Sequence, residues 1–316
     1  MKKHHSLSIS IFLFFTVLFC VVVSSCQTSS LMPYRDRGWV LIWSDEFDGD
    51  SLDTTKWNIE TGTGIQYGEY IDGWGNREAQ YYRAENVTVR DGMLVLEARK
   101  ENFGGRQYTS ARVSTGAIKQ GSLEGGNTFP LKYELRQPVR IEVRARTPRG
   151  VGFWPAIWLI GAEVNEYGPY TALGWPRCGE IDIMEVRGGQ ENILLSTIHY
   201  GEEFGVAKWS RGDQLELPFS LADDWNVFGV AWDHKVMHFL LNGEVWHTII
   251  FEEHERPRAN LQAFYNEEGF VINMNLAVGG NFLNRALPAD SAFAAGSSAE
   301  DRSLMIDWVR VYGRQR

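Results

Sequence analysis

Apolar and polar side chains alternate with a period of two in run after run of this chain, and that pattern admits little besides β-structure. Val139-Arg140-Ile141-Glu142-Val143-Arg144-Ala145-Arg146 alternates strictly, which predicts a strand with its charges turned outward. Val87-Thr88-Val89, a turn at Asp91-Gly92 and the apolar residues 93–98 read as a hairpin. Residues 236–241 and 244–247 flank Asn242-Gly243, the favoured hairpin dipeptide. Residues 304–312 close the chain as a further strand. Helical periodicity is hard to find beyond the N-terminal segment, and no internal repeat is visible. Many short strands at such spacing predict an all-β sandwich or barrel in one domain, starting at Gly38. Residues 115–137 are expected to form a long loop with one interrupted strand, and residues 288–301 a second loop.

One apolar run carries three acids, in Gly179-Glu180-Ile181-Asp182-Ile183-Met184-Glu185. Strand periodicity puts Glu180 and Asp182 on one face, where residue 184 should follow. Met184 stands there instead, and the third acid comes one residue late. A single inserted residue, a β-bulge, would swing Glu185 back to the acidic face, and such bulges often aim side chains at active sites. Two uses fit acids so crowded: a carboxylate pair that splits a glycosidic bond, or an oxygen-rich cation site of the kind calcium takes.

The N-terminus opens with Met1-Lys2-Lys3-His4-His5 and continues in an apolar stretch from about residue 9 to residue 23. That is the pattern of a secretory signal, and its core is short for a membrane span. Val23-Ser24-Ser25-Cys26 resembles the lipobox of bacterial lipoproteins. It implies a signal peptide over 1–25, lipid on the Cys26 sulfur, and a tether over 26–37. Gln27 after the cysteine, by resemblance to the bacterial sorting pattern, favours the outer membrane. The alternative is a plain secretory signal cleaved nearby. With Cys26 lipidated, Cys178 has no disulfide partner, so stability rests on burial. A net charge of −9 argues against a nucleic-acid partner.

The acidic strand stands among further motifs. Gly152-Phe153-Trp154-Pro155-Ala156-Ile157-Trp158-Leu159-Ile160 and Gly174-Trp175-Pro176-Arg177-Cys178-Gly179 precede it, and His199-Tyr200-Gly201 follows. With Trp43-Ser44-Asp45-Glu46-Phe47-Asp48-Gly49, Asn275-Leu276-Ala277-Val278-Gly279-Gly280-Asn281 and Asp307-Trp308-Val309-Arg310-Val311-Tyr312, the set resembles glycoside hydrolase family 16, most closely its bacterial laminarinase-like branch. The resemblance covers nearly all of residues 38–316. It implies a β-jelly roll of two antiparallel sheets with an open cleft on the concave face, and retaining endo-hydrolysis of β-1,3-glucan, laminarin-like. Glu180 would be the nucleophile, Glu185 the general acid/base, and Asp182 would lie between them. The late third acid matches this branch rather than the mixed-linkage lichenases, but agarases and carrageenases share it. Hydrolysis of those other β-glycans, transglycosylation and a non-catalytic glycan-binding lipoprotein stay open as alternatives.

The resemblance carries further expectations. Trp154 would lie near the subsites before the cleaved bond and Trp158 near the catalytic acids, unless both belong to the core. Trp175 would wall the cleft or simply pack. His199 would contact sugar or Glu185. Asn76 would bond substrate hydroxyls or fix its own turn, and Arg112 would be a cleft arginine or a surface ion pair. Glu46, Gly92 and Asp307 fall where some family members bind a structural calcium, with solvated acids as the alternative. No organic cofactor is needed, and a monomer is expected. The chain departs from the laminarinase pattern at Arg77-Glu78-Ala79, at Phe282-Leu283-Asn284 in place of Trp-Pro-Gly, and at Val186, which could alter an edge of the cleft.

Overall fold

A strand that is apolar on one face must bury that face against a second layer, and here the second layer is another sheet. The computed structural model describes residues 32–33, 38–64, 71–116, 118–119, 128–162, 174–203, 207–251, 259–264 and 269–314. Cys26, the signal segment and most of the tether lie outside them. Seven strands form an antiparallel sheet in the spatial order Ala207–Glu216, Ile193–Glu203, Glu180–Glu185, Phe153–Gly161, Phe270–Val278, Arg112–Ser114, Asn58–Glu60. A nine-stranded sheet faces it, with Val139–Arg146 between Asn226–Trp232 and Ser303–Arg314 at its centre. One apolar core joins the two, as expected of an all-β jelly-roll sandwich.

Both predicted hairpins form. Asp91 and Gly92 have φ of +53° and +71°, and Asn242 and Gly243 have +52° and +81°. Two successive positive φ values give the turn whose twist matches that of the strands it joins. In Val139–Arg146 the apolar residues are fully buried and the charges turn to the outer face. Outward does not mean exposed, however. Arg140 and Glu142 pair with each other and are only 7% and 6% exposed. Strands on both flanks and the Tyr312 ring, 5.0 Å from the Arg140 guanidinium, cover them.

Other details also differ from expectation. The expected loop over residues 288–301 contains two short 3-10 turns, Asp290–Phe293 and Glu300–Arg302, and its Phe293 packs against Tyr108 and Phe153. The interrupted strand in residues 115–137 is a small pair, Ile118–Lys119 with Thr128–Phe129. Met32–Pro33 pairs with Val245 and Glu244, so the nine-stranded sheet reaches back into the segment read as tether. Cys178 is buried and forms no disulfide.

Glu46 and Asp307, the acids expected at a calcium site, are each paired with an arginine. Both oxygens of Glu46 accept from Arg310, at 3.0 and 2.8 Å, and this pairing holds the Glu46 carboxyl below its usual range. Asp307 is bonded to Arg144, and Gly92 occupies the hairpin turn. A cation needs carboxylate oxygens free of competing positive charge. Here Arg310 takes both oxygens of Glu46 and Arg144 one oxygen of Asp307.

Candidate active site

The bulge is real and sits where the late third acid requires it. Against Ile193–Glu203, Asp182 pairs with Thr197 and Glu185 with Leu195, so three steps on the acidic strand match two on its neighbour. On the other flank Met184 pairs with Ile157 and Asp182 with Trp158, which leaves Ile183 as the extra residue. Ile181, Ile183 and Met184 therefore all enter the core, at most 1% exposed. Glu180, Asp182 and Glu185 together line a cleft of about 660 Å³ on the opposite face. Val186 is fully buried and is not among the residues that line it.

Burial dominates the chemistry of the three acids. Glu180 is raised to about 8, by desolvation first and by the charge of Asp182 second, while His199, a hydrogen bond from Trp175 and Lys208 act the other way. Glu185 is raised to about 7, by desolvation and then Glu180, against a Trp154 hydrogen bond, His199 and Arg187. Asp182, 4% exposed, is raised well above the ordinary value by burial and by Glu185, and it hydrogen-bonds Glu180. The three titrate as one set that holds protons near neutrality. A protonated acid beside an ionisable partner is what acid-assisted bond cleavage requires.

The aromatic platform comes from Phe153–Gly161. Trp154, Ala156, Trp158 and Ile160 face the cleft at alternate positions, so both tryptophans share a face as the spacing predicts. Both stand beside the catalytic acids. Trp154 donates its indole N–H to Glu185 Oε1 at 3.0 Å, so of this pair it is the one bonded to a catalytic acid. Its ring stacks on Phe282 at 4.7 Å, and Arg187 lies over the far side of Phe282 at 4.2 Å. Trp158 stands opposite Asp182 in register but donates to Asn275 Oδ1 at 2.8 Å.

His199 faces Asp182 rather than Glu185, with Nε2 3.2 Å from Asp182 Oδ2 and 4.0 Å from Glu180 Oε1. Its Nδ1 contacts Ser210 Oγ at 2.6 Å. Trp175 lines the cleft beside His199, with Lys208 Nζ 4.5 Å over its ring. Arg112 also lines the cleft, and its ion pair is internal: Glu60 at 3.2 Å, with Trp74 and Trp158 on its guanidinium at 4.5 and 4.9 Å. Asn76 reaches the cleft from the turn Gly73–Arg77 and lies 3.4 Å from Glu78 Oε1. Glu180, Asp182 and His199 offer ligand atoms within 4.8 Å of one another, so a cation could be held there, in competition with the protons.

Several cleft residues carry no assignment from sequence: Glu60, Trp74, Glu78, Asn275, Phe282, Arg187 and Lys208. For Glu78 a signal existed. Glu78, Gln80 and Tyr82 fall two apart along an extended segment and therefore share a face. Trp74 and Arg187 stand two residues from Asn76 and Glu185, while for Glu60, Asn275, Phe282 and Lys208 adjacency arises only when distant segments meet.

The profile of glycosyl hydrolases family 16 matches residues 76–310. Glucan endo-1,3-beta-glucosidase A1 of Niallia circulans is 33% identical over 88% of this chain, which spans only 38% of that protein's length. Glucan endo-1,3-beta-glucosidase of Cryptopygus antarcticus is 36% identical, over 79% of this chain and 84% of the relative. Among solved structures, the endo-beta-1,3-glucanase from Pyrococcus furiosus superposes with a TM-score of 0.69 at 33% identity, covering 88% of this chain and 95% of that one.

Proposed function

The chain belongs to glycoside hydrolase family 16, and on that premise we propose that it is a retaining endo-hydrolase of β-1,3-glucan, with Glu180 as nucleophile and Glu185 as acid/base. The observation that carries this is the bulge at Ile183, which turns both glutamates into one cleft while the intervening residues stay in the core. The acids share their protons as one set, and the reactive form carries one on Glu185 and none on Glu180: Glu185 gives it to the glycosidic oxygen as the Glu180 carboxylate attacks the anomeric carbon. The bond to the leaving sugar breaks and a glycosyl ester forms on Glu180. Glu185, now ionised, takes a proton from water, whose oxygen attacks the same carbon and frees Glu180. Asp182 is hydrogen-bonded to Glu180 and would hold that carboxyl in place as the ester forms and breaks. His199, Trp175 and Lys208 favour the ionised form of Glu180, as a nucleophile needs.

Trp154, Trp158, Trp175, Asn76, Arg112 and His199 line the same cleft and would hold the glycan there by stacking and hydroxyl contacts. Incubation of the purified protein with laminarin, lichenan, agarose and κ-carrageenan, followed by sizing of products, tests the reading. Short β-1,3-linked oligosaccharides from laminarin are expected. Laminarin left intact while a galactan is cut would overturn it.

The N-terminal pattern supports export, cleavage before Cys26 and lipid attachment there, which would hold a monomeric enzyme at the outer membrane. Mass spectrometry of the mature N-terminus tests this: an unmodified residue 26 refutes it.

A further inference from the structure

Glu78 is an acid that the reaction does not use, yet it lines the cleft while being only 5% exposed. It lies beside the strand Phe270–Val278, bridged to Gly279, two strands away from the acidic one. With Glu78 on the far side of that strand, three strand spacings put it on the order of 14 Å to the side of the acidic strand. Its Oε2 accepts from Gln80 Nε2 at 2.6 Å and from the Tyr82 hydroxyl at 3.1 Å. Gln80 cannot turn its amide round, because its Oε1 accepts the Val278 N–H at 2.8 Å.

Donor and acceptor accounting extends the chain of contacts. A phenol has one proton to give, and Tyr82 gives it to Glu78. The Tyr82 oxygen must then accept from Asn275, whose Nδ2 is 3.2 Å away. That orients the Asn275 amide so that its Oδ1 faces the Trp158 indole N–H at 2.8 Å. Tyr82 and Gln80 are fully buried, so no solvent can substitute for a missing partner. Burial holds the Glu78 carboxyl above its usual range, against Gln80, Arg112, Asn76 and Tyr82. Without Glu78, the Tyr82 proton is free to turn toward Asn275, the amide can flip, and the Trp158 N–H loses its acceptor.

We propose that Glu78 is a positioning residue: through Tyr82 and Asn275 it fixes Trp158, and by direct contact Asn76, for glycan units bound to the side of the cleaved bond. The inference rests on the reading of this cleft as a glycan hydrolase site. The oligosaccharides for its test come from whichever glycan the wild-type enzyme cleaves, so an intact laminarin refutes the β-1,3-glucan reading without touching this one.

The experiment measures kcat and KM across a length series for wild type, Glu78→Ala, Glu78→Gln and Tyr82→Phe, with Tm recorded for each. Glu78→Ala and Tyr82→Phe are expected to raise KM for long oligosaccharides about tenfold, with kcat within about twofold. The shortest cleaved substrate should show little change. Glu78→Gln, whose side-chain oxygen can still accept from Tyr82 and Gln80, should stay near wild type. Equal losses at every length, or a Glu78→Gln variant as impaired as Glu78→Ala, would overturn the proposal. Should Glu78→Ala fail to fold, a wild-type KM series for Tyr82→Phe overturns it alone.

Discussion

Trp154 and Glu185 meet across neighbouring strands, the indole N–H lying 3.0 Å from the carboxyl oxygen. This bond favours the ionised form of an acid that burial otherwise holds protonated. Phe282 and Arg187 stack behind Trp154 and keep its ring in place.

Trp154→Phe keeps the ring and removes the donor. The Glu185 carboxyl then rises further, so the alkaline limb of the kcat/KM profile should move to higher pH. The rate at the optimum should fall, by about tenfold for one charge-assisted hydrogen bond. An unchanged profile would mean that the bond is not formed in the working enzyme.

The two glutamates should separate by leaving group. Glu180→Gln and Glu185→Gln are each expected to cut hydrolysis of the glycan by at least about a hundredfold, with binding retained by calorimetry. With an aryl glycoside whose leaving group needs no proton, Glu185→Gln should still release the aryl group in a rapid first turnover, whereas Glu180→Gln should not. Release by both variants, or the reverse pattern, would refute the roles assigned here.

Burial of Glu180 also makes a stability prediction. The unfolded carboxyl ionises above about 4.5, while the folded one keeps its proton up to about 8. Stability from this group is thus complete below pH 4.5 and is lost as pH rises through that window. Glu180→Gln removes the penalty, so its Tm should exceed that of wild type at pH 8 and approach it at pH 4.5. A gain of several degrees at pH 8 is the scale for a few kcal/mol. A Tm difference independent of pH would show that the carboxyl is not held protonated.

Chelation should leave the fold untouched. Glu46 and Asp307 are neutralised by Arg310 and Arg144, so EDTA is expected not to change Tm. A fall reversed by calcium would mean that those arginines swing away in solution.

Much of the fold was legible because β-structure writes its periodicity into sequence. The strict alternation of residues 139–146 and the Asp91-Gly92 and Asn242-Gly243 turns each describe a local geometry that the backbone then adopts. The catalytic acids were legible for the same reason, since a shift of one residue in a period-two pattern demands a bulge. Partners of individual side chains were not legible. Arg140 and Glu142 turn outward as predicted but lie under Tyr312, and the acids expected to bind calcium sit beside arginines up to 264 positions away in the chain.

The strands, two tight turns, the acidic face and the family could be read from the chain alone, because each depends on residues near one another or on a motif. Tertiary structure alone decided that Trp154 rather than Trp158 touches Glu185, that His199 faces Asp182, and that Glu78 reaches Trp158 through Tyr82 and Asn275. Contacts of that kind are set by strand order and register in the sheet, and neither is encoded in local periodicity.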